Sequence, residues 1–563
     1  MKKFLIFIAL FLISLGFVGC NLNLTTTVTT SGSTNEVTTS FDTAVTTATD
    51  NVSTTIETTT EAIVTTIPTT TEATTTDEYD RYQTINFYSI NDFHGGAYSD
   101  ISMLVNMGAY LQNEKATTDN TIILGNGDIF QGSALSNYYY GLPIVDVFNY
   151  VGFDGFVLGN HEFDWGIEQI LRYRDGDTEN GEMSYPILAA NIVYTDSQEP
   201  IENTIPYIIK EINGVKVGII GVIGDVINSI SASRVQNITF LDAADTIQDY
   251  AAYLRTTEDC DLVVVYAHEG SSLDYEVKDF TGDSYIDAIF NGHTHANESG
   301  SISRYSGYPL FYAQASNYET SLFSKISLTY DRVEAEVVGG SAATITYSNV
   351  SSYSNSNIQT IIDNYANDTI YVAFVTQVLA HTLYSFNRTD LAPWGASVIR
   401  DYAGVDVGAL NSGGFRVTMP SGDITMGAMI EIYPFDNYIK TSEMTGQQLL
   451  DFYEKVIDRN YDVVFDDGLT YDGSHLYIDG VEVQSASVYT VGAVDYIFDK
   501  TYYDFLDGEN ITQTTYLMRD LLVQDLQNTI GNFNPNLGSS YPLGFDYYDP
   551  IYYFELKQSL TIH

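Results

Sequence analysis

The sequence predicts an α/β protein built in two parts, and three observations carry that reading. The chain has 563 residues, more than one ordinary domain holds, and 44% of them are apolar, enough for sizeable cores. Between about Tyr82 and Tyr330, short β-rich apolar runs recur with helix-like stretches between them: Thr84 to Ile90, Thr121 to Leu124, Gly155 to Leu158, Val215 to Ile223, Leu262 to Tyr266 and Asp287 to Phe290. That alternation marks buried strands of an α/β sheet. A helix-like stretch from Ser351 to Leu379 then leads into a second segment that runs to His563.

At the N-terminus, Lys2 and Lys3 precede an apolar run from Phe4 to Val18. The run is shorter than the roughly 20 residues that span a bilayer, so residues 1–19 read as a signal peptide. Phe17-Val18-Gly19-Cys20 resembles a bacterial lipobox, which implies cleavage before Cys20 and acylation of its sulfur. The expected address is the outer face of the cell membrane, through a lipid anchor, or release outside the cell. With Cys20 acylated, Cys260 is the one remaining thiol and no intrachain disulfide can form. Asn21 to Asp80 is rich in Thr, has no Lys or Arg and lacks apolar periodicity, so residues 20–81 are expected to be a disordered stalk. About 60 flexible residues reach about 40 Å by random-coil scaling.

Order is expected from Tyr82: a first domain over 82–345, a linker helix over 346–379 and a second domain over 380–563. Within the second, Thr445 to Arg459 reads as a helix opened by a capping box, Thr445 with Gln448 three residues on. The Tyr-rich end, Tyr541 to Phe554, lacks the interleaved cations of a nucleic-acid stacking platform. The charge balance points the same way. With 73 acidic residues against 23 basic ones the formal net charge is -50, and no Lys/Arg cluster offsets it. Binding to nucleic-acid polymers needs such clusters, so none is expected.

Five of the six strand-like runs end in a polar cluster. In order these are Asn91-Asp92-Phe93-His94, Gly127-Asp128, Gly159-Asn160-His161-Glu162-Phe163-Asp164, Ala267-His268-Glu269 and Gly292-His293-Thr294-His295. Open α/β sheets bind ligands beyond the carboxyl ends of their strands, so these clusters can converge on one crevice. Five of the chain's eight His lie in them. Imidazole, carboxylate and amide oxygen together suit Zn, Mn or a similar divalent ion.

The order Asp-x-His, Gly-Asp, Gly-Asn-His-Glu, His, Gly-His-x-His resembles that of the calcineurin-like metallophosphoesterases. Asn411-Ser412-Gly413-Gly414-Phe415-Arg416 and Tyr433-Pro434-Phe435-Asp436-Asn437 resemble the two main motifs of the 5′-nucleotidase C-terminal domain. From about Tyr82 to Leu522, the chain therefore resembles the bacterial 5′-nucleotidase/UDP-sugar hydrolase/2′,3′-cyclic phosphodiesterase family. The resemblance implies a four-layer α/β/β/α sandwich followed by an α+β substrate-binding domain. It also implies two divalent metal ions, one held by Asp92, His94 and His295, the other by Asn160, His268 and His293, with Asp128 bridging. Two such ions about 3.5–4 Å apart can lower the pKa of a water and clamp phosphoryl oxygens. His161 stays off the metals in this scheme and stabilises the transferring phosphoryl group or its leaving group, with Asp164 orienting the imidazole.

The same resemblance assigns substrate contacts to the second domain: Arg416 and a second arginine, Arg388, to hold the substrate, Asn411 for the base, and Phe435 and Tyr496 as the walls of an aromatic clamp. Arg suits an anion because its forked donors match phosphate geometry. Where the family carries a Gly-Gly-Asp-Gly loop, this chain has Phe498-Asp499-Lys500-Thr501-Tyr502-Tyr503. The expected activity is removal of the 5′-phosphate of a nucleotide. A 2′,3′-cyclic nucleotide or a UDP-sugar is the alternative substrate, and a surface adhesin or binding protein is the alternative without catalysis.

Overall fold

The computed structural model describes residues 81–96, 102–317 and 320–540, all within one compact unit, Thr75–His563. The expected signal peptide, Cys20, the Thr-rich stalk and the Tyr-rich end lie outside the described residues. All six apolar runs form strands: Tyr82–Ile90, Thr121–Asn126, Gly155–Val157, Val215–Ile223, Leu262–His268 and Ala288–Phe290.

They divide between two sheets. Tyr82–Ile90, Thr121–Asn126 and Gly155–Val157 pair in parallel at the centre of a seven-stranded sheet. Val215–Ile223, Leu262–His268 and Ala288–Phe290 pair in parallel in a six-stranded one. Thr121–Asn126 and Leu262–His268 are buried at every residue, as parallel strands covered on both faces must be. The sheets face each other through Phe87, Leu124, Val157, Val217, Val264 and Phe290. Helices Ser102–Thr117 and Leu142–Val151 cover the outside of the first sheet, and Ala243–Thr256 and Ser272–Val277 the outside of the second. The result is the four-layer α/β/β/α sandwich.

Residues 379–533 build a separate hydrophobic core. Its sheet has five strands, in the order Val464–Phe465, Val407–Leu410, Val488–Val494, Tyr438–Thr445 and Glu509–Leu517. Helices Arg388–Ala403, Gly446–Arg459 and Met518–Asn528 pack with it. Thr445 and Gln448 make the expected capping box, the Thr445 hydroxyl accepting from Gln448 N and Gln448 Oε1 accepting from Thr445 N at 2.8 Å.

The single linker helix expected over 346–379 is corrected to three short ones, Tyr347–Val350, Ser356–Ala366 and Thr369–Val375, followed by strand Val378–Thr382. Two caps break it. Asn355 accepts from Asn357 N and Ile358 N, and Asp368 from Ile370 N and Tyr371 N, which satisfies the free amides of a new helix start in each case. The segment also packs against the first sandwich, through Val350, Ile358, Ile362 and Tyr371.

Candidate metal centre and substrate cavity

The clusters that follow five of the parallel strands converge at one end of the two sheets. Asp92, His94, Asp128, Asn160 and His268 are almost wholly buried, and His293 and His295 are half-buried. Asp92, His94 and His295 bring their ligand atoms within 4.8 Å of one another, and so do Asp128, His268 and His293. In the first group, His94 Nε2 faces His295 Nε2 at 3.2 Å and His295 Nε2 lies 3.5 Å from Asp92 Oδ1. In the second, His268 Nε2 lies 3.1 Å from Asp128 Oδ2. Asn160 Oδ1 joins it, 2.8 Å from His293 Nδ1 and 3.3 Å from His268 Nε2.

The backbone is held in an unusual state to achieve this. Asp92, His94, Asp128, His293 and His295 all have positive φ, between 47° and 68°. Non-glycine residues seldom adopt that conformation, and it costs of order 1–3 kcal/mol each, so its concentration here marks a built site. Glycines make the close approach possible. A Cβ at Gly127 would lie 2.2 Å from His268 Nδ1, and one at Gly159 would lie 2.4 Å from Asp128 Oδ1.

A further shell holds the ligands. Asn126 Nδ2 donates to Ala267 O at 3.1 Å and Asn291 O at 3.2 Å, tying the ends of three strands together, while the Asn126 backbone carbonyl accepts from His268 Nδ1 at 2.8 Å. Buried Glu162 accepts from the amides of Asp128, Ile129 and Gly159 at 2.7–2.9 Å. Asn91 Nδ2 donates to Asp92 Oδ2 at 2.6 Å.

The donor set fits two divalent cations. Burial pushes the imidazoles of His293 and His295 down to about 4 and that of His94 well below its usual value, which leaves them neutral and able to ligate. Burial raises Asp92 to about 6. Burial opposes a cation on His268 too, but Asp128 outweighs it and raises His268 to about 10. In the protein alone, then, a proton on His268 is the counter-charge of Asp128, and a bound cation would displace it.

His161 stands beside this cluster. Its Nδ1 donates to Asp164 Oδ2 at 2.8 Å, and its Nε2 lies 4.0 Å from Asp128 Oδ2. Burial acts to lower its pKa, but Asp164 and Asp128 outweigh burial and the net shift is upward. His161 also comes within ligand reach of His94 and Asp128, but its Nδ1 is already engaged by Asp164.

A cavity of ≈ 300 Å³ opens from this cluster. Asp128, Asn160, His161, Asp164, His293 and His295 line one end, and Asn411, Arg416, Phe435 and Tyr496 line it from the C-terminal part. The Phe435 ring lies 5.8 Å from that of His161 at an interplanar angle of 30°, and the Arg416 guanidinium lies 5.7 Å from its centre. Arg388 is not among the lining residues. It is exposed on the first turn of Arg388–Ala403, a helix started by a capping box between Asn387 and Asp390.

Sequence reasoning does not single out Ser229, Ser231, Asp462, Tyr502 or Tyr503, which also line the cavity. Ser229 and Ser231 follow Val215–Ile223, the one strand of the six whose end carries no buried or half-buried His or Asp, only an exposed Asp225. Asp462 accepts from Ser412 N and Gly413 N, both at 2.9 Å, and so shapes the 412–414 turn before Arg416. Asn437, another lining residue, stands within the Tyr433–Asn437 motif, where a signal was present.

Comparison with known proteins agrees with this geometry. The calcineurin-like phosphoesterase profile matches residues 85–297, and the profile of the 5′-nucleotidase C-terminal domain matches residues 369–506. A cell wall protein of Listeria monocytogenes is 28% identical over an alignment of 440 residues that covers 65% of this chain and 55% of that protein. An apyrase of Tabanus yao is 26% identical over 418 residues, covering 66% of this chain and 73% of the apyrase. Among solved structures, a 5′-nucleotidase precursor from Thermus thermophilus superposes with a TM-score of 0.63 at 20% identity, covering 79% of this chain and 96% of that one. That likeness shows the shared fold.

Proposed function

We propose, from the premise that this chain belongs to the metal-dependent phosphoester hydrolases in which a calcineurin-like phosphoesterase domain is joined to a 5′-nucleotidase C-terminal domain, that it removes the 5′-phosphate of nucleotides at the outer face of the cell. The observation that carries this reading is the single cavity running from the His/Asp cluster past His161 to Arg416, Phe435 and Tyr496. The same reading divides the chain into a catalytic domain over 82–345, a linker over 346–379 and a substrate domain over 380–563, and the separate core of residues 379–533 supports it.

Each residue has a part to play. Asp92, His94 and His295 would hold one divalent cation and Asn160, His268 and His293 the other, with Asp128 between them. Bound there, the cations supply a water of lowered pKa and electrostatic stabilisation of the phosphoryl oxygens. Arg416 adds a forked donor set for the anion from the other side of the cavity. His161, with Nδ1 committed to Asp164, presents Nε2 to the cavity and holds a proton there for the leaving oxygen. Phe435 and Tyr496 offer ring faces to a base, and Asn411 offers its amide to the base edge.

Hydrolysis of AMP, a 2′,3′-cyclic nucleotide, UDP-glucose and glycerol 2-phosphate by the metal-loaded protein tests the proposal. AMP is expected to give the highest kcat/KM. Preference for the cyclic nucleotide or UDP-glucose would replace the nucleotidase reading by one of those activities, and no turnover of any would support a binding protein. The surface address rests on the lipobox-like Cys20, with a cell wall protein among the relatives. Wild-type protein should take up labelled palmitate in a bacterial host and Cys20→Ser should not; equal labelling would remove the anchor.

A further inference from the structure

The segment Phe498–Tyr503 contains a buried lysine. Lys500 is 6% exposed. Its ammonium donates to the carbonyl oxygens of Asn228 and Ile230, the latter at 3.0 Å, and lies 4.5 Å from the centre of the Tyr496 ring. Among the described residues it makes no ion pair. Its neighbour Asp499 is held by Lys440 at 2.7 Å. Burying an ammonium is costly unless its donors are satisfied, and here carbonyls and a ring face satisfy them. Burial lowers its pKa to about 8, against the opposing effect of Asp499 and Asp495.

The partners are not arbitrary. Asn228 and Ile230 flank Ser229, which lines the cavity and whose Oγ lies 3.5 Å from Nε2 of the candidate ligand His293. Tyr496, Tyr502 and Tyr503 line the cavity from the opposite part of the chain. The junction around Lys500 is reinforced more weakly, by Ser233 Oγ donating to Asp495 at 3.3 Å and by Arg234 donating to Asp436 O at 3.2 Å. One cation therefore joins the 228–231 loop of the catalytic part to the aromatic wall of the C-terminal part.

We propose that Lys500 is the positioning residue that closes the substrate cavity, fixing Tyr496 and the 502–503 tyrosines against the 228–231 loop and so setting the width of the end that receives the nucleoside. This rests on the nucleotide reading above. Lys500 touches no reacting atom. Its effect is exerted on the part of the substrate remote from phosphorus. Substrates are then separated by what they carry beyond the phosphate.

The test uses the full, metal-loaded chain and the variants Lys500→Met, which keeps the length and removes the donors, Lys500→Gln, a milder change, and Lys500→Arg, which restores donors and a planar cation. kcat and KM are measured on AMP and on glycerol 2-phosphate, with metal content and thermal unfolding as controls. The ratio of kcat/KM for AMP to that for glycerol 2-phosphate should fall about 10–100-fold in Lys500→Met, the scale of a misplaced substrate-positioning group, with most of the loss in KM. Lys500→Gln should fall between, and Lys500→Arg should recover most of the ratio. Equal losses on both substrates, or an unchanged ratio in folded Lys500→Met or Lys500→Gln, would overturn the proposal. If wild type does not favour AMP, the nucleotide reading has failed, and the same ratio is taken with the panel substrate that wild type prefers. A ratio unmoved there overturns the positioning role itself.

Discussion

Asp164→Asn isolates the one contact that orients His161. The carboxylate accepts from His161 Nδ1 at 2.8 Å, with both side chains about 15% exposed or less. A hydrogen bond between a charged pair contributes about 1.5–3 kcal/mol. Fully expressed in the transition state, that loss lowers kcat roughly 10–150-fold, since each 1.36 kcal/mol is tenfold. His161→Ala removes the group itself and should cost roughly 10²–10⁴-fold. Because Asp164 acts through His161, the two losses should not add. Asp164→Asn introduced into His161→Ala should change kcat by no more than about 0.5 kcal/mol, the limit seen for independent background effects. The pH profile gives a second readout. Asp164 raises the His161 pKa. If protonated His161 is the active form, activity is present below that pKa and lost as pH rises through it. Removing the carboxylate lowers the pKa, so the high-pH loss should begin at lower pH in Asp164→Asn. Additive losses in the double variant, or a high-pH limb that stays in place, would refute the coupling.

Four other perturbations probe the rest of the site. Chelation should abolish hydrolysis and added divalent metal restore it, and Asp128→Ala should be the most damaging ligand change; near-normal turnover by folded Asp128→Ala would end the two-cation scheme. Gly127→Ala places a Cβ 2.2 Å from His268 Nδ1 at a φ of +81, so the His268-side cation should be lost, with strain of about 1–2 kcal/mol on folding; full metal stoichiometry by elemental analysis would contradict this. Phe435→Ala should weaken use of AMP by about 1–3 kcal/mol, the scale of base–aromatic stacking, and use of glycerol 2-phosphate by less. Equal losses on the two substrates would make Phe435 a packing residue.

What the sequence discloses here follows how locally each feature is determined. The six parallel strands are readable because a strand buried on both faces must be apolar along most of its length, as Leu262–His268 is up to Ala267 and Thr121–Asn126 is over Ile122 to Leu124. The candidate ligand positions are readable because such strands end where the sheet's crevice begins, so polar residues placed there stand out against the run before them. Arg388 shows the limit of the same reasoning. Asn387 and Asp390, three apart, form a capping box, a purely local signal that places Arg388 on an exposed helical turn, away from the residues that line the cavity. The linker fails in the same way, since Asn355 and Asp368 are cap residues inside what reads as one helix.

Features that depend on two distant segments meeting have no such local trace. The positive φ of five ligand positions comes from the strand ends being forced together, with Asn126 and Glu162 holding the loops that carry them. Ser229 and Ser231 enter the cavity because the 228–231 loop is pinned by a lysine about 270 residues away. Lys500 itself reads in the sequence only as a departure from the glycine-rich loop. A glycine-rich loop lets backbone approach a ligand closely, whereas a side chain with a satisfied ammonium fixes one geometry. The Lys500 contacts fix one geometry of the wall that carries Tyr496, which is why the substrate ratio in Lys500 variants reports on specificity where changes at the His/Asp cluster do not.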